Sequence, residues 1–378
     1  MIQIRKKENC CGCNACVQSC PVSCIQMHED QEGFWYPKVD EQACINCGLC
    51  ERVCPCLNIK PTEKTKFTFA VKTNNEDLRK QSSSGGLFSE LAGWIIRQDG
   101  VVFGARFSED WTIVHDYTDK IEELSSFRGS KYVQSRIGNS YKQAQTFLKQ
   151  GRWVLFVGTS CQIAGLNLFL KKKYDRLIAV DVVCHGVPSP KVWNRYLEDL
   201  TGNQINKITD IQFRNKRAGW KKYSFVCKWN DVEYQEVFAE NLYMKGFLRD
   251  LYLRPSCYKC PSKMFAANSD LTLADYWGIQ YLNPELDDDL GTGLVFVHTE
   301  KSLSILNDLN INKTQISFEP LIKYNPSIRY ATVKVWGLKR WLFFFGLNMD
   351  FSVIWLLKVF TKRLNLKRRI RRLFIKRT

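Results

Sequence analysis

The sequence predicts an α+β/α/β protein in three consecutive parts. A small cysteine-rich module occupies 1–60, a mixed α/β body 67–330, and a helical, basic tail 331–378. Three observations carry that division. One cysteine spacing occurs twice in the first 56 residues, strand and helix patterns alternate after residue 67, and the last 48 residues hold 13 Lys/Arg against one acid, Asp350. At 378 residues, 45% hydrophobic and 13% aromatic, the chain has ample material for a core, which excludes disordered and collagen-like classes. The net charge is +17; the tail supplies 13 − 1 = +12 of it and leaves 17 − 12 = +5 for residues 1–330. The opening MIQIRKKENCC is basic and then cysteine-rich, with no apolar secretory core. Sixteen cysteines in such a chain point to a reduced, cytoplasmic setting and to metal rather than to a disulfide scaffold.

Eleven of the sixteen cysteines lie in the first 56 residues. They contain Cys10-x2-Cys13-x2-Cys16-x3-Cys20-Pro21 and, 34 residues on, Cys44-x2-Cys47-x2-Cys50-x3-Cys54-Pro55. This is the bacterial two-cluster ferredoxin run, in which the fourth cysteine of each copy serves the other [4Fe–4S] cluster. Three thiolates on a tight loop can wrap three irons of a cubane, and the fourth must arrive from elsewhere. Cluster one is therefore assigned to Cys10, Cys13, Cys16 and Cys54, and cluster two to Cys44, Cys47, Cys50 and Cys20. After each x3 gap the chain is expected to enter a short helix that aims its cysteine across, with Pro21 and Pro55 turning it away. Cys11, Cys24 and Cys56 are surplus and are read as non-ligands. Paired Cx2C motifs also build zinc ribbons, but two such sites with Cys-Pro endings are poor zinc geometry. Between the repeats, residues 33–39 read as a strand pair with a turn.

Residues 61–66 read as a linker. The body divides into 67–150 and 151–330. In the first part, Phe67–Thr73 and Val101–Phe107 read as strands. Ser82-Ser83-Ser84-Gly85-Gly86 opens a helix carrying Leu87, Phe88, Leu91 and Ile95 at helical spacing, and a second helix spans Asn139–Gln150. In the second part, strand Trp153–Val157, helix Ile163–Lys173 and strand Leu177–Val183 form one βαβ unit. Ligands in such sheets gather beyond the carboxyl ends of the strands, where Cys161 and Cys184 both fall. A helix at Lys191–Leu200, a hairpin Tyr223–Trp229/Val232–Phe238 and a helix Leu242–Tyr252 follow. Strand Leu294–His298 and a helix near Leu303–Leu309 close the region. No GxGxxG follows a strand and no GxxxxGK[ST] occurs, so a Rossmann NAD site and a P-loop lack support. The four histidines are dispersed, with no HExxH.

Six segments carry a family resemblance. They are Ser82-Ser83-Ser84-Gly85-Gly86, Gly129-Ser130-Lys131-Tyr132-Val133, Gly158-Thr159-Ser160-Cys161-Gln162-Ile163-Ala164-Gly165, Val183-Cys184-His185-Gly186-Val187-Pro188-Ser189-Pro190, Ser256-Cys257-Tyr258-Lys259-Cys260-Pro261 and Ser269-Asp270-Leu271-Thr272-Leu273-Ala274-Asp275-Tyr276-Trp277-Gly278. With the front module, these resemble the bacterial coenzyme F420 hydrogenase/dehydrogenase beta-subunit (FrhB-like) family, over roughly residues 1–330. Ser160 departs from the pattern, standing where a proline is common. The resemblance implies an oxidoreductase with FAD beside a third [4Fe–4S] cluster, exchanging hydride with a deazaflavin in the members that use one. Cys161 and Cys184, at neighbouring strand tips, and the Cys257/Cys260 pair supply four thiols for that cluster. The plainer reading makes the first two buried hydrophobes and the pair a zinc half-site. For the flavin, Ser83, Ser84, Gly85 and Gly86 precede a helix whose N-terminus favours a pyrophosphate, and Ser130, Lys131 and Tyr132 stand to bond or cover the rings. The plainer reading there is a serine N-cap and a surface lysine. Cys227, alternating within a strand, reads as core.

Function follows as electron movement between a hydride carrier at FAD and iron–sulfur clusters. The alternative is a non-catalytic ferredoxin-like protein serving a partner enzyme. Expected partners are a redox protein or a small hydride carrier. The tail mixes Trp336, Trp341, Phe343, Phe344, Phe345, Phe351 and Trp355 with its basic residues. A spanning helix is disfavoured, because the stretch 341–357 has only 17 residues and holds Asn348 and Asp350. Two readings stay open: an interfacial helix on an anionic inner leaflet, or a helix docked on protein. Nucleic acid is disfavoured, because the charge sits at one end without a recognition motif.

Overall fold

A computed structural model describes residues 1–59 and 65–362. Most of the expected linker and the basic end 363–378 lie outside the described residues. In chain order the front module contains α1 (Ala15–Ser19), β1 (Ile25–Glu29), β2 (Trp35–Val39), α2 (Leu49–Arg52) and α3 (Pro55–Asn58). β1 and β2 pair antiparallel, Ile25 opposite Val39. The strand pair read from residues 33–39 thus holds only its second strand there; the first begins eight residues earlier.

The body continues with β3 (Phe67–Thr73), α4 (Glu76–Gln81), α5 (Leu87–Arg97), β4 (Val101–Phe107), β5 (Ile113–Thr118), α6 (Leu124–Phe127) and α7 (Ser140–Lys149). Next come β6 (Val154–Thr159), α8 (Ser160–Leu170), β7 (Leu177–Val182), α9 (Pro190–Thr201), β8 (Ile208–Asn215), β9 (Ser224–Trp229) and β10 (Val232–Val237). Then follow α10 (Leu242–Leu248), β11 (Leu271–Asp275), α11 (Ile279–Leu282), β12 (Gly293–Val297), α12 (Glu300–Asp308), β13 (Ile311–Gln315), α13 (Gly337–Asn348) and α14 (Val353–Phe360). Eight strands form one mixed sheet, ordered β13-β3-β12-β11-β7-β6-β4-β5. Its centre is parallel: β11 beside β7, β7 beside β6, β6 beside β4. β6 and β7 read as nearly continuous apolar runs because helices cover both faces; Leu155, Phe156, Ile178 and Val180 are fully buried. A second, antiparallel sheet β10-β9-β8 carries the expected hairpin, turning at Asn230-Asp231. Cys227 in β9 is fully buried core.

β5, β8, β11, β13, α4, α6 and α11 have no counterpart in the sequence reading. Of the missed strands, β5, β8 and β13 lie at sheet edges and hold charged or amide residues, which blurs the apolar alternation, and the central β11 mixes Thr272 and Asp275 into five residues. The predicted helix 163–173 begins at Ser160, because Thr159 and Gln162 form a reciprocal capping box. That places Cys161 inside the first turn of α8 rather than in the preceding loop.

Candidate iron–sulfur and flavin site

The front cysteines stand around two cavities. Cys10, Cys13, Cys16 and Cys54 line one, together with the surplus Cys11 and Cys56. Cys44, Cys47, Cys50 and Cys20 line the other, with Cys24, whose sulfur is 3.4 Å from that of Cys20. The crossed sets assigned from the spacing therefore meet in space. The local route differs in part from the expectation: α1 and α2 carry the third cysteine and the gap of each copy, and a short helix follows the fourth cysteine only in the second copy, where Cys54 caps α3 and Pro55 opens it. One helical turn carries Cys16 toward one cavity and releases Cys20 toward the other. Among the described residues no three Cys, His or carboxylate groups converge on a point suited to a single ion.

Arg254 joins this module to the body. It is fully buried, and its Nε donates to Cys10 O at 2.7 Å. Nη1 donates to Gln134 Oε1 and Nη2 to Trp35 O, each at 2.9 Å, and Nη2 also lies 3.5 Å from Cys10 Sγ. The guanidinium faces the Tyr36 ring at 4.3 Å. No carboxylate contacts it among the described residues, and the charges around it are the thiols Cys10, Cys11 and Cys257. A buried cation needs a counter-charge, and thiolates are what this site offers. Sequence reasoning missed Arg254, since a lone arginine carries no pattern.

The third group of cysteines shares one cavity. Cys161, Cys184, Cys257 and Cys260 line it, and so does Cys11. Cys161 lies in the first turn of α8 after β6, and Cys184 follows β7, the neighbouring parallel strand. Cys257 and Cys260 come from the 3-10 turn Pro255–Lys259 and its end. Burial pushes Cys184 up to about 12 and raises Cys257 and Cys260. Backbone N–H groups oppose this: Val187 donates to Cys257 Sγ at 3.4 Å, and the amides of Gly186 and Ser262 face Cys184 and Cys260. Lys263 holds Cys184 O at 2.7 Å and adds positive charge. Ser262 Oγ, on the same wall, is buried with no hydrogen-bond partner. Four thiols, amide donors aimed at three of them, and an orphaned hydroxyl fit a cluster here.

Cys11 touches both neighbourhoods; its thiol lies against Cys13, Cys56 and Cys161. Gly165 in α8 lets the module seat so closely, because an added Cβ would stand 3.0 Å from Cys13 Sγ. The three cavities thus run in series, from Cys47 at the exposed surface to the carboxyl edge of the large sheet.

The two loops named for the flavin meet at that same edge. Ser83 Oγ accepts from Ser130 N at 2.7 Å and pairs with Ser130 Oγ at 3.0 Å. Ser84 Oγ donates to Thr292 O at 2.8 Å. Gly85 is explained by strand packing: an added Cβ would stand 2.1 Å from Val71 O. Gly86 caps α5 at φ +89°. Lys131 turns inward, donating to Ser126 O and Arg128 O at 2.9 Å each, and burial pushes its amine down to about 7. Tyr132 stacks on Phe247 at 4.9 Å, with its hydroxyl beside Ser130 and Arg214. Arg214, its side chain only 2% exposed, pairs with Asp275 Oδ2 at 2.5 Å and leaves Nε and Nη2 buried without partners. Arg128 donates to Ser89 Oγ in the first turn of α5 at 3.0 Å. Unpartnered guanidinium N–H groups and a helix N-terminus fit an anionic, ring-bearing cofactor. Arg214 and Arg128 were not foreseen from the sequence.

Residues 9–58 match the 4Fe-4S dicluster domain, and residues 151–323 match the carboxy-terminal region of the coenzyme F420 hydrogenase/dehydrogenase beta subunit. A ferredoxin 7Fe of Hydrogenibacillus schlegelii is 48% identical over 50 residues, 13% of this chain and 58% of that protein. An uncharacterized protein from the rpl9-rpl11 intergenic region of Porphyra purpurea is 45% identical over 51 residues, 13% of this chain and 67% of that one. NADH-quinone oxidoreductase subunit I 1 of Nitrosococcus oceani is 50% identical over 34 residues, 8% of this chain and 19% of that one. These curated relatives meet the chain only over short stretches, and the chain spans two thirds of their length or less. Among solved structures, a chain of the F420-reducing [NiFe] hydrogenase complex from Methanosarcina barkeri superposes with TM-score 0.48 at 14% identity, covering 70% of this chain and 89% of that one. The chain thus carries an iron–sulfur electron-transfer domain at 9–58 and, at 151–323, a region similar to the carboxy-terminal part of the coenzyme F420 hydrogenase/dehydrogenase beta subunit.

Proposed function

We propose that this protein is an iron–sulfur flavoprotein oxidoreductase that moves electrons between a hydride carrier and a protein partner. The observation that carries the reading is the series of three cysteine-lined cavities ending at the edge where the Ser83–Ser130 loops and Arg214 meet. Cys10, Cys13, Cys16 and Cys54 would hold cluster one, and Cys44, Cys47, Cys50 and Cys20 cluster two. Cys161, Cys184, Cys257 and Cys260 would hold the third. FAD would lie against Ser83, Ser84, Gly86, Ser130 and Tyr132, with Arg214 and Arg128 as its cationic partners. When bound, a flavin accepts hydride as two electrons and a proton, and the clusters carry electrons singly. The chain's own work is to hold, orient and tune. Arg214 and Arg128 supply positive charge at the anionic cofactor. Amides at Cys184, Cys257 and Cys260 stabilise thiolates. Arg254 places a cation beside cluster one. Exposed Cys47 and Ile45, the latter 61% exposed, mark the side from which a redox partner reaches cluster two.

Anaerobic reconstitution with iron, sulfide and FAD, followed by metal and flavin counting, tests this. About twelve irons and one flavin are expected per chain. Cys257→Ser with Cys260→Ser should remove about four irons and spare the rest. A protein with about eight irons and no flavin would instead be the non-catalytic electron carrier.

A further inference from the structure

One charged residue interrupts the apolar run of a central strand. Asp181 is the next-to-last residue of β7, between Val180 and Val182, and it is only 1% exposed. Its side-chain partners are hydroxyls. Ser160 Oγ donates to Oδ2 at 2.5 Å, and Thr272 Oγ1 and Ser269 Oγ donate to Oδ1 at 2.5 and 2.7 Å. No lysine, arginine or histidine forms an ion pair with it among the described residues. Burial without a cation favours the neutral acid and raises this carboxyl above its ordinary value, with the three hydroxyls opposing. Asp181 also walls the cavity lined by Cys161, Cys184, Cys257 and Cys260, and among the described residues it is the only carboxylate there. Thr272 links it to a histidine: Thr272 Oγ1 is 2.9 Å from His298 Nε2. The Thr272 hydrogen goes to Asp181, so Nε2–H is the donor to Thr272. His298 follows β12 and is partly buried beside the Phe265 ring at 4.8 Å. That burial pushes it down to about 4, so the imidazole is neutral at neutral pH.

The other polar groups around Asp181 are engaged elsewhere. Gly158 of β6 stands opposite it in register and brings no side chain. His115, next to Gly158, is bonded through both nitrogens to Ser135 and Val157 O. Asp270 turns to Ala179 N, Thr299 Oγ1 and Lys301. Across the cavity Lys263 holds the carbonyls of Cys184 and Ser327, and His185 pairs with Asp250 at 2.6 Å. An electron arriving in this cavity adds negative charge beside a carboxylate that has no cation to offset it. We propose that Asp181 takes up a proton as that electron arrives, through Thr272 from His298, and returns it when the electron leaves. The inference rests on the third cluster proposed above, and the electron is the one the hydride carrier supplies there. Solvent adds a proton to His298 Nδ1, the Nε2 proton passes to Thr272 Oγ1, and the Thr272 hydrogen passes to Asp181. Both hydrogen bonds stay in place with their directions reversed, so the ring need not turn. Oxidation runs each transfer backwards. The charge at the sheet edge then stays level while electrons pass singly.

Anaerobic redox titrations of the reconstituted full chain across the neutral pH range, followed by electron paramagnetic resonance, test this, with iron counted in every sample. In wild type the midpoint potential of the third cluster should fall by about 59 mV per pH unit, one proton per electron. Asp181→Asn keeps the shape and cannot take the proton; it should lose the slope and keep its iron. Thr272→Val should keep the slope and lose the fast phase of proton uptake that a pH-indicator dye records after flash reduction. If Asp181→Asn does not fold, infrared difference spectra of wild type carrying isotope-labelled aspartate serve instead. A carboxylic-acid carbonyl band should appear there on reduction, and its absence would refute the proposal. A pH-independent potential in wild type with about twelve irons bound would overturn the inference while leaving the cluster reading intact. So would a slope that survives in folded Asp181→Asn, which would move the proton to another group such as His185. A Thr272→Val variant as fast as wild type would overturn the route from His298. A wild-type chain with about eight irons would overturn the third cluster, and this inference with it.

Discussion

Replacing Arg254 by Gln should lower the potential of cluster one by on the order of 100 mV. The guanidinium is fully buried and its Nη2 stands 3.5 Å from Cys10 Sγ, with no carboxylate partner to share its charge among the described residues. An electron added to the cluster is spread over the cubane, so a separation of roughly 7 Å is the relevant one. At an effective dielectric constant of about 20, that attraction is about 2.4 kcal/mol. At about 1.4 kcal/mol and 59 mV per decade for one electron, this is about 100 mV. Gln keeps some hydrogen bonding to Cys10 O and Trp35 O but removes the charge. Arg254→Lys keeps the charge and should recover most of the shift. The assay is an anaerobic redox titration followed by electron paramagnetic resonance, with iron counted in each variant. A Gln variant that retains its iron but shifts by less than about 20 mV would refute the electrostatic role of Arg254.

Three further outcomes are expected. His115 is buried, with Nδ1 on Ser135 Oγ at 2.9 Å and Nε2 on Val157 O at 3.0 Å, and burial pushes it down to about 4. Its contribution is complete above about 6.5 and is lost as pH falls toward 4, amounting to about 3 kcal/mol; denaturant midpoints across that window should fall more steeply for wild type than for His115→Gln. Gly85→Ala forces a Cβ to 2.1 Å from Val71 O, so β3 and β12 must part. A loss of roughly 1–3 kcal/mol or more should appear in thermal melts, and an unchanged melt would contradict the packing account. Cys11→Ala should leave the iron count unchanged; a loss of about four irons would instead make Cys11 a ligand.

How much of this was readable beforehand depends on how far apart the interacting residues lie in the chain. The double Cys-x2-Cys-x2-Cys-x3-Cys-Pro run specifies its chemistry by local spacing, and Cys20 and Cys54 face the cavities that spacing assigns them. The central strands β6 and β7 were legible because strands buried on both faces must be apolar throughout. The flavin loops were legible as motifs only; what Gly85 does became clear when Val71 O was found pressed against it. Arg254 and Arg214 had no local signature, since what distinguishes them is burial beside sulfur and aromatic rings contributed by distant segments. The tail's composition left two readings open, and docking of α13 and α14 settled which of its apolar side chains are covered. Short-range spacing was enough to specify the thiol sets and the alternation of strand and helix, because each is written within a few residues. Which groups stand together at the sheet edge, and which face stays bare, emerged from the three-dimensional packing alone, because both depend on the crossing of elements hundreds of residues apart.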